Sequence, residues 1–103
     1  MQSCITCGMP FVGDHVNDIG LTMAEGPVCK FDIQDGALKR PEDIFMGGTE
    51  FFLHAVAQGD RELAERLTRK NMNLLPYWKQ HPFPQLHGAE ATDEEFAAAV
   101  EKL

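Results

Sequence analysis

Cys4-Ile5-Thr6-Cys7-Gly8-Met9-Pro10 and Cys29-Lys30-Phe31-Asp32 are the stretches on which the reading of this chain turns. Two cysteines three positions apart can reach one tetrahedral ion from a single tight turn. Gly8 directly follows the second thiol, where such a turn needs unusual backbone angles. A third cysteine arrives 22 residues later, and Asp32 stands where a second C-x2-C would place its last cysteine. A carboxylate oxygen is an acceptable zinc ligand. The spacing therefore predicts one metal ion held by Cys4, Cys7, Cys29 and Asp32.

The fourth ligand stays open at this level. His15, in the loop between the turns, and His54, farther along, are alternatives to Asp32, as are water and a ligand from a partner. Two other readings compete with the metal site. Buried thiols can act as small hydrophobic groups with no ion. Cys4 and Cys7 can form a redox pair, but no βαβ pattern or helix start surrounds them to lower a thiol pKa.

Between the two turns, Leu21–Ala24 and Val28–Phe31 read as short strands, with Glu25-Gly26-Pro27 as the reversal. Asp35-Gly36 marks a further turn, and Pro41 closes the segment. This part of the chain resembles a zinc-ribbon domain family of bacterial and archaeal proteins, whose members begin near C-x-x-C-G-M-P. They continue through a Gly- and Asp-rich hairpin to a second C-x-x-C and then a polar residue and Gly. The shared residues are Cys4, Cys7, Gly8, Met9, Pro10, Cys29, Asp35 and Gly36. The resemblance covers about the first 40 to 45 residues and departs from the pattern at Asp32, where the family has cysteine. It implies a metal-binding module and no particular reaction.

From residue 42 the pattern becomes helical. A turn of helix over Pro41–Phe45 is expected, then a break at Gly47-Gly48, then a helix over Thr49–Ala57 with Thr49 as N-cap. Asp60 caps a helix over about Arg61–Leu75, with Leu63, Leu67, Leu74 and Leu75 on its apolar face. Glu62–Arg66 and Glu65–Arg69 are spaced as helical ion pairs. Residues 76–91 carry three prolines among Tyr77, Trp78 and Phe83, and read as an extended wrap over the helices. Thr92 and Glu95 form a capping box. The helix they start places Phe96, Val100 and Leu103 on one face.

These elements make an α+β fold: a zinc-ribbon hairpin over residues 1–40, packed on a helical segment over residues 41–103. Phe11, Leu21, Val28 and Phe31 are expected to meet Phe52, Leu63 or Leu67, with Trp78 closing the seam. The 103 residues are 44% hydrophobic and 24% charged, as in a globular domain. A segment the size of residues 1–40 needs a staple such as a metal to fold.

The net charge is −7, and acids outnumber bases on both sides of residue 40. Nucleic-acid affinity rests on cations that neutralise phosphates, so that partner class is disfavoured and a protein partner is expected, with a homodimer one form of it. No apolar run reaches the roughly 18 residues of a membrane span, and the start lacks a signal-peptide pattern. Three cysteines without an even partner fit a reducing, cytoplasmic setting. No serine-nucleophile, zinc-protease, phosphate-loop or dinucleotide motif is present. The expectation is one structural Zn2+ per chain in a noncatalytic interaction or regulatory module. The rival is a metal-dependent enzyme or metal-handling protein with an open zinc position.

Overall fold

A computed structural model describes residues 2–103. The chain is mixed α and β, with two small antiparallel hairpins followed by four α-helices. The first hairpin joins β1 (Ile19–Met23) to β2 (Gly26–Cys29). Met23 pairs with Gly26, so the reversal is Ala24-Glu25 and Gly26-Pro27 already belong to β2. That differs from the reversal expected at Glu25-Gly26-Pro27. The cause lies in the preceding loop: Ile5 N–H donates to Pro27 O at 3.0 Å. A Cβ on Gly26 would lie 2.8 Å from Ile5 Cγ2. The second strand also stops at Cys29 rather than Phe31, because Lys30–Asp32 coil into a 3-10 turn.

The second hairpin pairs β3 (Ile33–Gln34) with β4 (Ala37–Leu38) around Asp35-Gly36. Asp35 and Gly36 both have positive φ, 55° and 79°. This is the backbone that an Asp-Gly pair favours in a two-residue hairpin turn.

Helix α1 spans Pro41–Ala55 without interruption. The expected break at Gly47-Gly48 does not occur, and Thr49 is an interior buried residue rather than an N-cap. Pro41 at the first position, with Glu42 and Asp43 behind it, starts the helix instead, as the orphan donors and dipole of a helix N-terminus favour. Gly48 serves packing: a Cβ there would come within 2.9 Å of Thr68 Cγ2 on the next helix. Propensity alone argues for a break at two glycines; close approach of the helices overrides it.

Helix α2 (Arg61–Asn73) starts as expected, with Asp60 Oδ1 accepting from Leu63 N–H at 3.2 Å. It ends before Leu74, which is therefore exposed, while Ala64, Leu67, Thr68 and Met72 are buried. The Glu62–Arg66 pair forms, at 3.3 Å, and Arg66 also reaches Glu95 at 2.6 Å. Arg69 does not pair with Glu65. It donates to Gln85 O and Ala89 O, at 2.8 and 2.6 Å, and so ties down the segment that crosses the helices.

That segment is less extended than its prolines suggest. It contains α3 (Pro76–Gln80) and a 3-10 turn at Pro84–Leu86. Trp78, Phe83 and Leu86 are buried, so it does act as an apolar lid. The capping box of Thr92 and Glu95 opens α4 (Asp93–Glu101). Of the expected Phe96, Val100 and Leu103 stripe, only Phe96 packs, beside Ala99; Val100 and Leu103 are exposed.

Three clusters make the core. Phe52, Leu53, Val56, Ala64, Leu67 and Ala99 join α1, α2 and α4. Ile44, Phe45, Met72, Trp78, Phe83 and Leu86 join α1, α2 and the lid. Cys4, Phe11, Val28 and Cys29 form the third, under the first hairpin. Leu38 packs against both the second and the third. The hairpin segment thus meets the helices at the Trp78 cluster, not at Phe52, Leu63 or Leu67. Phe31 takes no part: it is 54% exposed, with Lys30 Nζ 5.3 Å from its ring centre.

Candidate metal centre

The first turn is shaped by its own backbone. Cys4 N–H donates to Met9 O and Gly8 N–H to Cys4 O, both at 2.8 Å. Gly8 has φ +81°, a conformation that costs a side-chain-bearing residue free energy. Ser3 and Pro10 then pair as an antiparallel bridge that closes the loop. Two side chains of the helical segment hold it from outside. Asn71 Nδ2 donates to Cys7 O at 2.9 Å, and Trp78 Nε1 donates to Thr6 O at 3.0 Å.

The second turn is the 3-10 coil after β2. It carries Cys29 at its entry and Asp32 at its end, so both side chains face the first turn. Lys30 N–H donates to Asp18 O at 2.8 Å, and Lys39 N–H to Asp32 O at 2.9 Å. Gly20 lets β1 pass beneath it, since a Cβ there would sit 2.7 Å from Lys30 Cα. The pairing register shifts between Ile19 and Leu21 at the same place.

The two turns bring one donor atom each from Cys4, Cys7, Cys29 and Asp32 to within 4.8 Å of one another. Cys7 Sγ and Cys29 Sγ are 3.6 Å apart, and Cys4 Sγ lies 3.7 Å from Asp32 Oδ2. Tetrahedral zinc, with Zn–S of about 2.3 Å and Zn–O of about 2.0–2.2 Å, separates two sulfurs by about 3.8 Å and a sulfur from an oxygen by about 3.6 Å. Both of these edges fit. The cluster can hold a metal ion. Cys4 and Cys29 are each 1% exposed and Asp32 8%, while Cys7 is half-buried.

The electrostatics describe four acids crowded without a counter-charge. Cys4 is the group that most readily ionises. Hydrogen bonds from the Cys29 and Cys7 thiols lower its pKa, with Thr6 and the Cys29 backbone N–H (3.3 Å from Cys4 Sγ) adding to the effect against burial. Cys29 is pushed up to about 12 by its hydrogen bond to Cys4, and Cys7 is raised by its bonds to the other two thiols. Burial raises Asp32, opposed by the hydrogen bond from Thr6. A second negative charge is costly beside the first. A divalent cation removes that cost and releases the protons.

The histidines go elsewhere. His15 Nδ1 lies 2.8 Å from Asp18 Oδ2, whose other oxygen meets Lys30 Nζ at 3.1 Å. His54 pairs with Glu50 at 3.5 Å and His81 with Glu25 at 3.4 Å. Among the described residues, Cys4, Cys7, Cys29 and Asp32 are the one group of metal-ligating side chains that converges.

Thr6 is the residue that sequence reasoning missed. It is fully buried between the two cysteines, and its hydroxyl donates to Asp32 Oδ2 at 2.6 Å while lying 3.1 Å from Cys4 Sγ. A hydroxyl between two cysteines carries no sequence pattern of its own, and only the fold brings it to Asp32.

Among the described residues, no helix is long and apolar enough to cross a membrane. Comparisons of the chain with protein-family models, curated proteins and solved structures returned no match.

Proposed function

We propose that this chain is a small zinc-binding protein with a ribbon-type N-terminal segment, in which one structural Zn2+ is held by Cys4, Cys7, Cys29 and Asp32. The observation that carries this reading is the convergence of three sulfurs and a carboxylate oxygen to within 4.8 Å of one another, with Cys4, Cys29 and Asp32 buried and two edges, 3.6 and 3.7 Å, that suit a tetrahedral ion. Zinc suits a donor set that mixes soft thiolates with a hard oxygen. Asp32 takes the position that water would occupy in an open, catalytic site. The metal's work is then to fix the two turns, and the chain serves as a noncatalytic protein-interaction or regulatory module of the cytoplasm.

A protein partner, or a second copy of the chain, is favoured by the surface. Val12, Val16 and Phe31 stand exposed on the hairpin segment. The cations of α2 are already engaged: Arg61 with Glu50, Arg66 with Glu95 and Lys70 with Asp93, each at 2.6–2.7 Å. That leaves little free positive charge for phosphates.

Metal analysis of the purified protein, alone and as Asp32→Ala, tests the proposal. One zinc per chain is expected, with loss of both metal and hairpin structure in Asp32→Ala. Full zinc retention in Asp32→Ala, with an exchangeable water on the ion, would move the assignment to an open site in a metal-dependent enzyme or metal-handling protein.

A further inference from the structure

We propose that Thr6 is the positioning residue that makes Asp32 a metal ligand; this rests on the zinc reading above. A carboxylate replacing a thiolate brings a difficulty. It has two oxygens and a soft terminal torsion, so it can approach an ion in several ways, whereas a thiolate has one donor atom. Something must select one approach. Among the described residues, Thr6 is the one noncysteine side chain that donates to Asp32.

The assignment of the hydroxyl proton follows from counting. Thr6 Oγ1 has one proton and two neighbours, Asp32 Oδ2 at 2.6 Å and Cys4 Sγ at 3.1 Å. Metal ligands bind deprotonated, so in the loaded site both neighbours would be acceptors. The shorter contact takes the proton. Cys4 Sγ keeps a separate donor, Cys29 N–H at 3.3 Å, so committing Thr6 to the carboxylate does not leave Cys4 without one.

Thr6 is itself fixed from the other side. Its carbonyl accepts from Trp78 Nε1 at 3.0 Å. The orienting chain therefore runs from the helical segment through Trp78 to Thr6, and from Thr6 across to the second turn at Asp32. Partners of this kind behind metal ligands typically contribute 10–100-fold to metal affinity.

The test is a zinc competition titration, with cobalt(II) absorption as second readout, on wild type, Thr6→Val, Thr6→Ser and Thr6→Ala. Thr6→Val keeps the branched shape and loses the donor; Thr6→Ser keeps the donor. Thr6→Val and Thr6→Ala are expected to bind zinc about 10–100-fold more weakly, and Thr6→Ser within about threefold of wild type. The visible ligand-field bands of cobalt should shift in Thr6→Val, while the sulfur charge-transfer bands of three thiolates persist. In an Asp32→Cys background there is no carboxylate to orient, so Thr6→Val should cost less than about threefold.

Wild-type affinity in Thr6→Val overturns the inference, as does an equal loss in the Asp32→Cys background. Should Thr6→Val fail to fold in saturating zinc, a folded Thr6→Ala with wild-type affinity overturns it just as well. A wild-type chain that binds neither zinc nor cobalt overturns the zinc reading itself, before any variant is compared.

Discussion

The hairpin segment and the helical segment of this protein differ in how much apolar surface they bury. Residues 41–103 bury two apolar clusters that link all four helices and the lid. Residues 2–40 bury Phe11 and Val28 beside two cysteines. Buried apolar side chains are many in the helical segment and few in the hairpins. The segment with the smaller apolar core is also the one in which the four candidate donors converge. The two segments touch through directed hydrogen bonds, Trp78 to Thr6 and Asn71 to Cys7, and through Leu38.

The contrast is most sharply broken or sustained by pH. In the metal-free chain, Asp32 is raised by burial and Cys29 is raised from 9.0 to about 12. Raised groups favour the folded state while protonated. Their contribution is present below the unfolded pKa and is lost as pH rises through the folded one, for Cys29 between 9.0 and about 12. Loading with zinc inverts the sign, because each ligand must first shed its proton. Zinc affinity should fall at least about tenfold for each pH unit of acidification below neutrality. Titrations at three pH values measure it. A pH-independent affinity would remove the thiols and Asp32 from the site.

Trp78→Ala attacks the seam between the segments. Truncating a fully buried tryptophan costs about 3–5 kcal/mol. Here it also removes the donor to Thr6 O. Denaturant unfolding should show that loss, and zinc affinity should fall with it. A zinc affinity unchanged in folded Trp78→Ala would show that the metal site is independent of the helices.

The smallest effects separate two adjacent glycines in α1. Gly48→Ala forces a Cβ to within 2.9 Å of Thr68 Cγ2, an overpacking that costs about 1–3 kcal/mol. Gly47→Ala meets open space and should stabilise the helix by up to about 1 kcal/mol. Melting temperatures that move in opposite directions confirm that the helical segment is limited by packing. Neither change should alter zinc content.

The same contrast explains what could be read from the sequence. The convergence of the four side chains was legible because ligand spacing is local: Cys4 and Cys7 share one turn, and Cys29 and Asp32 share another. The Asp35-Gly36 turn, the Asp60 cap and the Thr92 capping box were legible for the same reason. The continuity of α1 was not. Two glycines lower local helix propensity, and only Thr68, twenty residues away, shows why Gly48 must be small. Phe31 looked like a core residue by hydrophobicity, but the 3-10 turn that presents Asp32 points it outward. Thr6 escaped notice because its role depends on a partner 26 residues away.

Residue-resolved hydrogen exchange on the zinc-loaded chain, before and after a strong chelator, tests the central claim most directly. The account predicts that chelation abolishes protection in residues 2–40, while amides of α1 and α2 that pack around Leu67 retain theirs. Unchanged protection across Ile19–Cys29 after complete removal of metal would contradict it.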